Sequence, residues 1–156
     1  MPVERTQSED ATIELGRRIA ADLPTRAVVL LIGNLGAGKT TLAKGILQGL
    51  GVAQLEDVTS PTFTLIHEYE SASQESRAGV SRAGAARLAY HIDLYRLDEA
   101  RQVAGLGLDE IFDRDAVVLI EWGERFPELL PARRLEIRLA PAGDDERSVG
   151  WEWVGS

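Results

Sequence analysis

The sequence predicts an α/β fold, a three-layer sandwich with a mainly parallel central sheet, helices on both faces and a β-hairpin insertion. Three observations carry this. Ala27 to Ile32 (AVVLLI) is an unbroken apolar run of strand length, and Ala116 to Ile120 (AVVLI) repeats it; such runs mark strands buried on both faces, as in parallel sheets covered by helices. A glycine-rich stretch, Gly33 to Lys39, follows the first run at once, and then Leu42, Ala43, Ile46, Leu47 and Leu50 recur at helical spacing. The length of 156 residues suits a single domain spanning 1–156, and 44% hydrophobic content supplies its core.

The elements follow in order. After a polar leader, Ser8 or Asp10 caps a helix running to about Leu23, with Ile13, Ile19, Ala20 and Leu23 on its apolar side and Pro24 ending it. Strand 27–32, the glycine loop and a helix from Thr40 to about Leu50 come next, stopped at Gly51. Phe63 to Tyr69 and Arg87 to Asp93 read as the two strands of the hairpin, and 71–86, which lacks large apolar residues apart from Val80, reads as its mobile tip. Asp98 opens a short helix to Val103, Gly105 and Gly107 break it, and Asp109 to Phe112 forms another turn. The apolar run ending at Ile120 precedes Glu121, and Leu135 to Leu139 and Val149 to Val154 read as two late strands.

Composition narrows the function. With no cysteine there are no disulfides, thiolate metal sites or cysteine nucleophiles, and His67 and His91 alone are too few for a histidine-rich metal site. Both histidines read as strand positions with satisfied hydrogen bonds. The start, MPVERTQSED, resembles neither a signal peptide nor an arginine-rich presequence, and no apolar run reaches membrane-spanning length, so the expectation is a cytoplasmic protein away from membranes. A net charge of −8 argues against a protein that grips nucleic acid unaided. Only Lys39 and Lys44 among the 17 basic residues are lysines, which singles each out for inspection.

Lys39 stands in Gly33-Asn34-Leu35-Gly36-Ala37-Gly38-Lys39-Thr40, which satisfies the phosphate-loop pattern G-x-x-x-x-G-K-[ST] between a strand and a helix. This makes the predicted sandwich P-loop NTPase-like. Glycines let successive backbone N–H groups curl toward one anion, and the helix that follows offers its positive end to the same anion. Asn34 through Thr41 then form the nucleotide cradle, Lys39 reaches the outer phosphates, and the Thr40 hydroxyl holds Mg²⁺. Guanine recognition usually takes an [NT]-K-x-D loop, and the sole asparagine here is Asn34, so ATP is the expected nucleotide.

A Mg²⁺–triphosphate site also needs carboxylates at strand ends. Glu121 follows AVVLI directly and Asp93 ends the 88–92 run in the same way. If both strands run parallel to the phosphate-loop strand, both acids emerge at one sheet edge. Ser60-Pro61-Thr62-Phe63 joins the phosphate-loop unit to the next strand and reads either as a turn or as a switch at the terminal phosphate. Arg96 either neutralises charge in the reaction or pairs with Asp98 or Glu99. A small-molecule kinase is the alternative to an ATPase, with Arg77, Arg82 and Arg87 as its lid.

The blocks GNLGAGKTTLAKGIL, VTSPTFTLIHEY, YHIDLYRL, LGLDE and LIEW, in that order from about Thr12 to Trp122, resemble the TsaE family, the P-loop ATPases of bacterial tRNA threonylcarbamoyladenosine (t6A) synthesis. The resemblance implies that Thr40 and Glu121 are Mg²⁺ ligands, that Asp93 is a catalytic or metal-shell acid, and that Thr62 is a catalytic switch residue sensing nucleotide. It also places the segment near Thr12 close to the adenine. Two departures are visible, Asn34 where an aspartate is common and Gly123 where a proline often follows the tryptophan. The implied partners are the threonylcarbamoyl transferase TsaD and its paralogue TsaB, with tRNA reached only through that assembly.

Overall fold

The computed structural model describes residues 2–59, 61, 64–71 and 87–155. Ser60, Thr62, Phe63 and the tip expected beyond Ser71 lie outside these described residues.

Seven strands form one sheet in the order β1-β7-β6-β2-β5-β4-β3. Its centre is parallel: β2 (Ala27–Ile32) pairs in parallel with β5 (Val117–Glu121) and β6 (Arg134–Pro141), and β5 pairs in parallel with β4 (Leu88–Asp93). Both flanks are antiparallel, with β3 (Ile66–Glu70) on β4 at one side and β7 (Arg147–Val154) and β1 (Val3–Thr6) at the other. The sheet is thus more mixed than the sequence suggested, because the late strands pair as a hairpin and the leader joins them. Val3 to Thr6 is a strand rather than a loose leader, held by backbone pairing from Val3 opposite Gly150 to Thr6 opposite Arg147.

The apolar runs of β2 and β5 alternate between two cores. Val29, Leu31 and Leu119 face Leu15 and Ile19 of α1 (Glu9–Ala21) and Leu42 and Ile46 of α2 (Lys39–Gly49). Val28, Leu30, Val118 and Ile120 face Val103 of α3 (Ala100–Ala104) and Leu108, Ile111 and Phe112 of α4 (Leu108–Phe112). Burial on both sides is why these strands carry no polar alternation.

Local chemistry fixes the helix ends. Ser8 is extended and its hydroxyl accepts the Ala11 N–H at 3.0 Å, with Glu9 and Asp10 in the positively polarised first turn of α1. α3 begins at Ala100 rather than Asp98, because Glu99 and Gln102 form a reciprocal capping box. α1 lies directly on α2 because Gly45 lacks a side chain: a Cβ there would stand 2.0 Å from the Ile13 carbonyl oxygen. That contact seats α2, and with it the glycine loop, at the end of β2.

Candidate functional site

The loop leaves β2 after Ile32 and enters α2 at Lys39. Gly36 and Gly38 take the left-handed conformation, at φ 81° and 101°, which other residues rarely adopt. Gly38 is also the N-cap of α2, so no side chain covers the helix's first N–H groups. The Lys39 ammonium turns back to donate to the Gly33 carbonyl at 2.7 Å and sits 3.4 Å from the centre of the Trp122 ring. Burial pulls its pKa below the ordinary lysine value, against the opposing pull of Glu121, Glu124 and Asp93.

The two strand-end acids meet. β4 and β5 are parallel and in register with Asp93 beside Glu121, and Leu31 of β2 completes the row. Both acids are only 3% exposed, so they are not the solvent-facing strand ends that their positions alone suggest. Glu121 Oε2 accepts from the Thr40 hydroxyl at 3.2 Å and from His91 Nε2 at 2.6 Å. A carboxylate only accepts, which assigns the proton of that bond to His91 Nε2. The Asp93 carboxylate accepts the Tyr95 N–H at 2.9 Å, fixing its rotamer.

A groove of about 360 Å³ runs from Leu35, Gly36 and Gly38 across Lys39, Thr40 and Thr41 to Asp93 and Glu121. Tyr95, Trp122 and Arg147 close its rim. Trp122 is itself left-handed, at φ 68°, and this bend after Glu121 lays its ring under Lys39. Arg125 holds the same corner, donating to the Leu94 and Tyr95 carbonyls with its guanidinium 5.7 Å from the Trp122 ring. Two other cavities, of 510 and 560 Å³, open around Asp22 and Trp153 and contain none of these residues.

Among the described residues no cluster of three or more acidic or imidazole groups forms a ready metal cage. The donor set instead suits Mg²⁺, which keeps its waters and takes one or two carboxylates together with substrate phosphates. Thr40 and Glu121 already touch, and Asp93 adjoins them in register.

The family model described as "Threonylcarbamoyl adenosine biosynthesis protein TsaE" matches residues 6–149. The chain belongs to the TsaE family. It is 40% identical over 152 residues to the tRNA threonylcarbamoyladenosine biosynthesis protein TsaE of Bacillus subtilis, covering 97% of this chain and 85% of that one. The Mycobacterium tuberculosis protein of the same name is 38% identical over 149 residues, covering 91% and 81%. The solved Bacillus subtilis YdiB structure superposes with a TM-score of 0.71 at 36% identity, covering 99% of this chain and 86% of that chain.

Of the residues that the sequence proposed for a TsaE site, the structure gathers Leu35, Gly36, Gly38, Lys39, Thr40, Thr41, Asp93 and Glu121 in the groove. Asn34 is exposed at the loop's start, with its carbonyl accepting the Ala37 N–H, and Ala37 is fully buried beneath the loop. Thr12 is not among the groove's lining residues: it is buried, and its hydroxyl lies 2.6 Å from that of Thr6, tying β1 to α1. Thr62 falls outside the described residues. His67 lies on β3 opposite His91, away from the groove lining. Sequence reasoning missed Arg147, Arg125 and the His91 contact. Trp122 was legible only inside the LIEW block, and Arg147 carries no local signal because it follows the loop by more than a hundred residues.

Proposed function

We propose that this TsaE chain is a Mg²⁺-dependent ATPase of the P-loop NTPase class that serves t6A modification of tRNA. The observation that carries the reading is the juxtaposition of Lys39, Thr40, Glu121 and Asp93 over a glycine loop at a helix N-terminus. The loop N–H groups and Lys39 bind the phosphates, Lys39 leaving Gly33 to do so. Thr40 and Glu121 hold Mg²⁺, whose chemistry is to neutralise charge on the phosphate oxygens. His91 keeps the Glu121 carboxylate oriented, and Asp93, held by the Tyr95 N–H, orients or takes a proton from the attacking water. Trp122 and Tyr95, whose rings lie 5.1 Å apart, shield this corner from bulk solvent.

Its partners are the TsaD and TsaB subunits, and the hydrolysis of ATP to ADP and phosphate resets their assembly between turnovers at the adenosine beside the anticodon. Family membership and the net charge of −8 support a component that drives its partners without gripping tRNA. A cytoplasmic location agrees with this role, and no helix among the described residues is long and apolar enough to cross a membrane. The test is steady-state phosphate release by the chain alone, with the TsaB–TsaD pair, and with the pair plus tRNA. Release that depends on Mg²⁺ and rises with the pair is expected. Transfer of phosphate to a small acceptor, or no release in any condition, sinks the ATPase reading.

A further inference from the structure

Arg147 opens β7, where it lies opposite Thr6 of β1 and Pro141 of β6 at the edge of the sheet that bears the glycine loop. Its side chain crosses to that loop. The guanidinium Nε would lie 3.3 Å from a Cβ built on Gly38, and Nη2 donates to the Gly36 carbonyl at 3.4 Å. Nη1 is held from behind by the carbonyls of Glu146 at 2.9 Å and Asp144 at 3.4 Å. Two strand neighbours and three carbonyl bonds therefore fix a cation at the groove's rim.

The partners of Arg147 differ from those of six other described arginines and resemble those of Arg125 and Arg133, which also donate to main-chain carbonyls. Arg17, Arg18, Arg26, Arg101, Arg134 and Arg138 each pair with a carboxylate. Arg147 follows Asp144, Asp145 and Glu146, yet among the described residues no carboxylate comes within ion-pair distance of it, and it takes main-chain oxygens of the turn instead. A guanidinium has five N–H groups in a planar fork, and carbonyl oxygens account for three of them here. The other two, on a charge with no counter-ion, match the oxygens of a phosphate group.

We propose that Arg147 is a phosphate ligand of the bound nucleotide, gripping it from the β7 side of the groove while the loop and Lys39 grip it from below. The inference rests on the nucleotide reading above and adds to it a cation that the phosphate-loop motif does not contain. It also gives the β6–β7 turn a direct link to nucleotide occupancy, because the same guanidinium holds the turn and the ligand.

The test is the affinity of wild type, Arg147→Gln and Arg147→Lys for ATP and for inorganic tripolyphosphate, with the thermal midpoint of each free protein. Arg147→Gln is expected to weaken both ligands about 10- to 100-fold, the range of one charge-assisted hydrogen-bond pair. Arg147→Lys should recover part of the loss, and its salt dependence of binding should stay close to wild type. Equal binding by Arg147→Gln overturns the proposal. So does a loss confined to ATP with tripolyphosphate unchanged, which would mark a contact to base or sugar. If Arg147→Lys binds as poorly as Arg147→Gln and both melt several degrees lower, the arginine only braces the loop. If wild type binds neither ligand, the nucleotide reading itself falls, an outcome distinct from intact wild-type binding that ignores residue 147.

Discussion

His91 Nε2 donates to Glu121 Oε2 at 2.6 Å across two strands, and neither side chain is open to solvent. The Thr40 hydroxyl reaches the same oxygen, so when Thr40 turns to a metal, His91 is the donor that keeps the carboxylate in place. Replacing His91 by alanine leaves a cavity and a buried carboxylate short of a donor, which should cost about 2–4 kcal/mol. His91→Gln offers an amide N–H from a similar distance and should lose less than half of that. Urea denaturation of both variants, with the Mg²⁺ concentration for half-maximal turnover, checks this. Equal stability of His91→Ala and wild type would remove the bond from the structure's support.

The adjacent acids should separate fold from chemistry. Asp93→Asn retains an acceptor for the Tyr95 N–H, and Glu121→Gln retains one for His91, so each variant should keep its stability to within about 1 kcal/mol. Turnover should fall at least about 100-fold in each, since an amide neither neutralises the metal nor takes a proton. The measurement is phosphate release with the partners present, beside thermal melts. Normal release by either variant excludes that residue from catalysis.

Glu124 gives the pH dependence its sign. It follows the left-handed Trp122 in a short 3₁₀ turn, and its Oε1 is buried without a partner among the described residues. Burial raises its pKa above the ordinary 4.5, although its own backbone N–H, Lys39, Arg125 and Arg138 pull the other way. Between 4.5 and the raised value the folded state keeps a proton that the unfolded chain has lost, so ionised Glu124 opposes folding above that window. Glu124→Gln should therefore be more stable than wild type at pH 7. The difference should shrink as pH falls through the window and vanish below about 4.5. Denaturation curves from pH 4 to 8 decide it, and a gap that widens toward acid would reverse the assignment.

The loop, the central strands and the two acids were legible because each is specified locally. AVVLLI is of strand length, carries β-branched valines and runs straight into glycines, which marks a buried strand entering a turn, and a strand-end acid needs no knowledge of the rest of the chain. What brings Asp93 beside Glu121 is the parallel register of β4 on β5, which the sequence allowed without fixing. β1 was illegible because the inward face of VERT carries Glu4 and Thr6, polar residues that make no hydrophobic alternation: its order comes from main-chain pairing with β7, far along the chain. The same distance hid Arg147, whose neighbours in sequence are acids while its neighbours in space are glycines. His91 looked like an ordinary strand residue because its partner lies on the adjacent strand, two positions beyond the residue opposite it.

Lys39 shows what the site costs the free protein. Its ammonium is buried, and its contacts with Gly33 and Trp122 together with three nearby acids do not restore the charged form to its standing in water, since its pKa remains lowered. That cost is fully present below the lowered pKa, where folded and unfolded lysine both carry the proton, and it fades as pH rises from there through the ordinary value of 10.5. Lys39→Met keeps the length of the side chain and removes the charge, so the free variant should melt no lower than wild type. A bound phosphate reverses the balance by placing negative charge in direct contact with the ammonium, whose direct contacts are now a carbonyl and a ring. Nucleotide affinity should thus fall about 10- to 150-fold in Lys39→Met, the range of a charged donor to phosphate, and hydrolysis should be lost. Thermal melts without ligand and a titration with labelled ATP measure the two halves separately. A variant that melts well below wild type would mean that the Gly33 and Trp122 contacts outweigh desolvation, and one that binds ATP normally would remove Lys39 from the phosphate site.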